Sequence, residues 1–272
     1  MAPASTSLMH PDGPPEPIAF RRPNLPGVAK LTAKERVAIG RDAEARWAKV
    51  MGSPMASVYV TELYGLAVEV IDEIDGAYEL VAQIGQPEPG VGTLTVNHEI
   101  NRHLTHALGA AARMRALCLD RQQPGRDQSP TDLAVQKRGA GWLRSLLREI
   151  DLGPILDADV RHSLEHFDEF VDRSSLEMID GTIALPALVP VDLVLSERHL
   201  LQQFVPDGPG TVHFLRVFVS SEERFINCDR ETDIAALRLA SVEIRDRLEP
   251  SMGERPSEEV SAMVVLSKQS FG

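Results

Sequence analysis

Cysteine is nearly absent from this chain. Its 272 residues carry two, Cys118 and Cys228, far apart and in no C-x-x-C pattern. That argues against a disulfide framework and for a reducing cytosol. Aromatic residues are also scarce, at 5%, while apolar residues reach 43%. A sizeable core must therefore be built from Leu, Val, Ile and Ala, which favours helices. Positive charge is in deficit: 28 Lys and Arg face 40 Asp and Glu, a formal net charge of −12. A general duplex-DNA binder or a polybasic membrane-surface protein needs a cationic face, so the charge argues against both classes. It does not argue against an enzyme that cuts RNA at a small local site. No apolar run approaches the ~20 residues needed to cross a bilayer, and the Pro-rich start has no apolar signal core. The expectation is a soluble, cytoplasmic protein without a membrane partner. The chain also lacks G-x-G-x-x-G, G-x-x-x-x-G-K and G-x-S-x-G, which disfavours nucleotide-cofactor folds and a serine-hydrolase elbow. No cofactor is expected.

What is present reads mainly as helix. Residues 1–30 hold seven prolines and form an extended or disordered arm. Residues 31–178 read as a helical bundle. Thr32 and Glu35 make a capping box for a first helix running to about Met51. A second helix starts near Pro54 and runs toward Ile84, with Val58, Leu63, Leu66, Val70, Ile74 and Leu80 on its apolar face. A third spans about Val96 to Leu119, and its Gly109–Ala112 stretch permits close helix approach. A fourth starts near Thr131-Asp132 and ends near Ile150. A fifth covers about 155–173, with Leu156, Val160, Leu164, Phe167 and Val171 as its buried stripe. Residues 179–250 read as a β-hairpin (Thr211–Val219 returning through Arg224–Cys228) followed by a terminal helix anchored by Ile234, Leu237, Val242, Ile244 and Leu248. Residues 251–272 are a tail in which Val260–Leu266 could add a short strand.

The chemistry concentrates in Asp157–Asp172, which packs two histidines, one arginine and six acids into sixteen residues. Arg161 and His166 fit R-x4-H. An arginine can hold a phosphate through fixed donors, and a histidine can move the protons needed for attack by an RNA 2′-hydroxyl. Arg161 and His166 take those roles, and His162 positions or shares the proton. A five-residue step places the two about 140° apart on an ideal helix, so two copies facing each other complete the site more naturally than one. The same stretch fits H-x-x-E-H. There His162 and His166 would bind zinc with Glu165 as general base and Glu243 as third ligand, but the flanking residues and the scaffold of that protease group are missing. The plain alternative is a solvated helix face with i, i+4 ion pairs.

A helical bundle whose late helix carries Arg161-His162 and, four residues beyond the pair's first histidine, His166 resembles the HEPN superfamily. The longer string Val160-Arg161-His162-Ser163-Leu164-Glu165-His166-Phe167-Asp168-Glu169 also resembles a group of uncharacterised bacterial proteins. In them an E-H-F-D-E-R-like segment precedes a hairpin like Phe214–Phe218 and a helix; here Phe170 stands where they have arginine. The resemblance implies a HEPN-like antiparallel bundle and a homodimer with Arg161 and His166 at the cleft between copies. It also implies an RNA substrate and, from toxin–antitoxin or defence roles, a neutralising protein partner. A non-catalytic helical binding protein is the competing expectation.

Other clusters are weaker. Arg102, His103, Arg113, Arg115 and Arg121 could form a basic patch or an ordinary amphipathic face. His98, Glu99, His103 and His106 could bind a metal. Asp72, Glu73 and Asp75 could meet Glu99 in a di-iron-like core, but arginine occupies the position where the E-x-x-H motif needs histidine. Cys118 reads as a buried core thiol.

Overall fold

The computed structural model describes residues 55–84, 92–118, 146–157, 167–182, 187–205, 210–228 and 230–252, together with Thr32, Lys34, Ala38, Arg41, Asp42, Ala45, Trp47 and Lys49. The protein is mainly helical with a small five-stranded sheet.

Two long helices set the frame. Helix α1 spans Met55–Ile84 and α2 spans His98–Cys118. On α1, Leu63, Leu66, Ala67, Val70, Ile74 and Ala77 are fully or nearly fully buried. Steps of three and four keep them on one stripe. On α2 the matching stripe is Ile100, Leu104, Ala107, Leu108, Ala111, Met114 and Cys118. Glu73 of α1 contacts His103, and Glu69, one turn earlier, contacts Arg113, further along α2. The two helices therefore run antiparallel. Close approach comes from Ala107, Ala110 and Ala111, which are buried. Gly109 faces open space, whereas Gly76 of α1 sits under the His103 ring, where a Cβ would come within 3.0 Å of Cε1.

Short helix α3 (Gly153–Leu156) and helix α4 (Phe167–Ile179) follow. The terminal helix α5 covers Ile234–Leu248 and is capped by Asp233, whose carboxylate accepts from the Ala236 amide at 2.8 Å. Its buried Ile234, Leu237, Ala240, Ile244 and Leu248 join the α1–α2 core. Each fully buried Leu, Ile or Phe contributes roughly 1.5–3 kcal/mol.

The strands are β1 (Leu94–Val96), β2 (Ala187–Leu188), β3 (Leu193–Leu195), β4 (Thr211–Val212), β5 (Val217–Val219), β6 (Arg224–Asn227) and β7 (Arg230–Asp233). The main sheet has the order β1-β3-β5-β6-β7, and β2 pairs with β4 separately. Strands β3 and β5 are parallel, with Val194 opposite Phe218 and Leu195 opposite Val219; the other pairs of the main sheet are antiparallel. Alternation at period two divides the sheet's side chains. Val194, Phe218 and Phe225 join the helical core. Leu193, Leu195, Val217, Val219 and Ile226 form a second cluster on the other face with Leu200 and Phe204 of the 3₁₀ helix Arg198–Phe204. Both faces of β3 and β5 are covered, which is why these two strands read as unbroken apolar runs.

Several expectations meet this structure directly. The second and third predicted helices match α1 and α2 to within two residues at each end, and the terminal helix matches α5. Thr32 is not helical while every described residue from Lys34 to Lys49 is; Glu35, the other half of the expected capping box, lies outside the described residues. The third helix starts two residues late because Leu94–Val96 is a strand, and Asn97 then caps α2 by accepting from the Ile100 amide at 3.0 Å. An unbroken helix over 155–173 does not form. Asp157 takes an extended conformation, ψ 125°, and ends α3. Val171, expected in a buried stripe, is 36% exposed on α4, and α4 continues to Ile179. The hairpin exists only as β5–β6: the expected strand Thr211–Val219 is broken, and Thr211–Val212 pairs with β2 in the other sheet. The hairpin is the middle of a larger sheet that takes β1 from ahead of α2 and β7 from residues expected to lead into the last helix. Residues 1–30, most of the predicted fourth helix and Val260–Leu266 lie outside the described residues.

Candidate functional site

Arg161, His162, Glu165 and His166 lie outside the described residues, so the structure places neither the R-x4-H nor the H-x-x-E-H arrangement. Glu243, the third zinc ligand of the latter, is exposed on α5.

The described residues instead bring polar chemistry together where the first turns of α2 meet one end of the sheet. Asp192 precedes β3 and Arg216 precedes β5. Both have left-handed backbones, φ 56° and 53°. The parallel register that pairs Val191 with Leu215 and Val194 with Phe218 also sets Asp192 opposite Arg216. Cys228, φ 48°, follows β6 at the same end. Non-glycine residues are costly in this region, and such positions persist where surrounding bonds over-determine them. Here the bonds are visible. The Asp192 amide donates to Leu215 O (3.1 Å), Leu215 to Pro190 O (3.0 Å), and Cys228 to Phe214 O (2.9 Å). The Arg216 amide donates to the Oδ1 of fully buried Asn227 at 3.2 Å.

The two kinks carry the side chains together. Arg216 places Nε 2.7 Å from Asp192 Oδ1 and Nη2 3.2 Å from Oδ2. His98, the first residue of α2, places Nδ1 2.5 Å from the same Oδ2. The Asp192 side chain is 7% exposed and His98 79% exposed. A buried carboxylate needs such partners. The Asn97 amide donates to Asp192 O (3.1 Å), which ties the helix cap to the kink.

Further along α2, Glu73 lies between His103 (2.6 Å) and His106 (3.6 Å). His98, Arg102 and His106 stand at i, i+4 and i+8, on one face of the helix. They line a cavity of about 500 Å³ with Glu99, Asn101, Thr105, Asp192 and Arg216. A separate cavity of about 510 Å³ lies between the end of α1 and the sheet, lined by Tyr78, Val81, Thr93, Val194, Phe218 and Glu223 among others. The Tyr78 hydroxyl oxygen is buried there. Burial, followed by the neighbouring Glu223 carboxylate, holds that hydroxyl protonated well above the usual phenol range.

Of the two readings of the α2 cations, basic patch or ordinary amphipathic face, the described residues show the second, with the groups engaged by neighbours. Arg102 bonds Glu99 (2.7 Å), which holds the Glu99 carboxyl below its ordinary range. His103 bonds Glu73, Arg113 bonds Glu69, and Arg115 donates to Leu156 O at 2.9 Å. Arg121 lies outside the described residues. Glu73 and Asp75 do not meet Glu99: Asp75 pairs with Arg238 of α5 and Glu73 with His103. Among the described residues no three His, Cys, Asp or Glu side chains form a metal-ligand group. Cys118 is a buried core thiol as expected. Among the described residues no helix is long and apolar enough to cross a membrane.

Sequence reasoning missed Asp192 and Arg216, although a signal was present. Val191-Asp192-Leu193-Val194-Leu195 and Leu215-Arg216-Val217-Phe218-Val219 share one pattern: a single charge of opposite sign inside an otherwise apolar run. A charge in a strand buried on both faces calls for a counter-charge, and the two runs supply each other's.

No protein-family model matches the chain, and searches of curated proteins and of solved structures find no match.

Proposed function

We propose that this chain is a HEPN-like helical protein that cleaves RNA without a metal ion, in a site completed across a homodimer. The observation that carries the reading is the spacing Arg161-His162-Ser163-Leu164-Glu165-His166 within a mainly helical chain. Arg161 holds the phosphate and offsets the charge that develops on it. His166, with His162 beside it, takes the proton from the 2′-hydroxyl as that oxygen bonds to phosphorus. The bond from phosphorus to the 5′-oxygen breaks, and the leaving oxygen receives a proton. The products are a 2′,3′-cyclic phosphate and a 5′-hydroxyl. The resemblance adds a neutralising protein partner.

A second reading is a non-catalytic binding protein built on the same helices. The ion-paired face of α2 favours it, since those arginines and histidines are already engaged by carboxylates or carbonyls. RNA contact, on the first reading, therefore concentrates at the Arg161–His166 segment. Incubating total RNA in EDTA with wild type, Arg161→Ala and His166→Ala separates the two. Cleavage by wild type alone supports the ribonuclease. No cleavage by any of the three supports the binding protein, and cleavage that appears only without EDTA supports the zinc arrangement.

A further inference from the structure

The cavity where the first turns of α2 meet the kinked end of β3 and β5 is used by neither reading above. We propose that it binds a small organic oxyanion, a molecule bearing one phosphate or carboxylate together with a hydroxyl or amine. Three observations carry this.

The first is the layering of charge. Asp192 is almost fully buried, behind Arg216 and His98, whose side chains are 37% and 79% exposed. The carboxylate faces inward and its cationic partners stand toward solvent. Arg102, one turn along α2 from His98, and His106, one turn further, extend the same face. Arg102 gives Nε and Nη2 to Glu99, and its guanidinium carries further N–H donors, so a compact anion gains charge-assisted hydrogen bonds here while Asp192 and Glu99 keep their partners. Glu99 and Asp192 both line the cavity, and two carboxylates disfavour a polyanion. That sets this ligand apart from RNA.

The second is Asn101, which is 1% exposed. Its Nδ2 donates to Asn97 O at 3.0 Å, but its Oδ1 has no hydrogen-bond partner among the described residues. A buried acceptor without a donor is costly. A ligand hydroxyl or amine supplies the missing proton, which is why the oxyanion must carry one.

The third is the built character of the site. Two left-handed residues meet at matched register on parallel strands and are fixed by backbone bonds to their neighbours. Such strain collects at binding and catalytic positions. The volume of about 500 Å³ falls in the roughly 300–1,000 Å³ range of small-molecule pockets.

The test titrates the full-length protein with glycerol 3-phosphate, 3-hydroxybutyrate, inorganic phosphate and glycerol, followed by NMR of the Asn101 side-chain amide and the His98 imidazole. At least one of the two organic anions is expected to shift both signals saturably, and which one does so separates phosphate from carboxylate. Glycerol is expected to leave both signals in place, and phosphate to bind more weakly than glycerol 3-phosphate. His98→Gln and Arg102→Gln change exposed side chains and leave the fold intact. Each is expected to weaken binding by about tenfold or more. The proposal is overturned if neither organic anion shifts the signals, if glycerol alone shifts them, or if both variants bind like wild type. Phosphate binding as tightly as glycerol 3-phosphate overturns the role given to Asn101. None of these outcomes depends on RNA cleavage.

Discussion

The helical layer and the kinked end of the sheet solve different problems with the same chain. In the helical layer α1, α2 and α5 pack apolar stripes, and their charges stay on the rim as ion pairs such as Glu69–Arg113 and Asp75–Arg238. At the sheet end the backbone leaves its ordinary conformations at Asp192, Arg216 and Cys228, and charge is taken inside. The first region spends regular structure on stability. The second accepts strain and a buried carboxylate, and it places around a cavity a histidine, an arginine and an amide oxygen that has no partner among the described residues. Stability in this fold should therefore be sensitive to side-chain volume in the helical layer and to charge pairing at the sheet end.

Four substitutions test that contrast, beginning with the largest expected effect. Phe218→Ala removes a side chain that is 1% exposed and bridges sheet and helices. Urea unfolding is expected to show a loss of about 3–5 kcal/mol, and a loss under about 1 kcal/mol would mean that the sheet is not anchored to the helical layer. Asp192→Ala removes the carboxylate that Arg216 and His98 share. Because both partners are partly exposed, the expected cost is about 2 kcal/mol. Asp192→Asn keeps a residue that tolerates the left-handed backbone and should cost less. If the two variants are equal, backbone conformation is not a separate contribution at this end. Asp233→Ala deletes the α5 cap, and thermal unfolding should report a loss of about 1 kcal/mol. That is the scale of a helix cap; the same change also removes the 3.0 Å ion pair of Asp233 with Arg224, which is partly exposed and adds little.

The smallest effect is a change in pH dependence. Burial and Glu223 raise the Tyr78 hydroxyl above its unfolded-state value. A group raised in the folded state contributes stability that is fully present below its unfolded pKa. For a tyrosine near 10, that contribution is lost as pH climbs beyond this value. Tyr78→Phe should therefore flatten the alkaline fall in stability while leaving the neutral range little changed. An unchanged alkaline limb would show that Tyr78 is not held in its neutral form.

Regular elements were legible because one physical rule governs each. Apolar spacing marked α1, and a polar start followed by an apolar stripe marked α2. The apolar anchors from Ile234 to Leu248 marked α5. The expected helix over 155–173 failed at Asp157, where helical periodicity in side-chain type continues although the backbone turns extended. Spacing alone cannot register that turn. The five-stranded sheet was only partly legible, since strands of three or four residues carry too few alternations to separate from loop. The sheet-end site was least legible. Asp192 and Arg216 lie 24 residues apart in sequence, and their pairing depends on a parallel register that joins β3 and β5. His98 was noticed within a polar cluster, but its partner was not. The converse holds for Arg161 and His166, whose spacing is conspicuous in sequence and which lie outside the described residues.

The proposed composite dimeric site is tested most directly by complementation. Arg161→Ala and His166→Ala are each expected to be inactive in EDTA against an RNA that wild type cleaves. Mixed and re-equilibrated, half of the dimers carry one intact pair, so the mixture should recover about a quarter of wild-type cleavage. A mixture as inactive as either parent, beside an active wild type, would contradict a site shared between two copies.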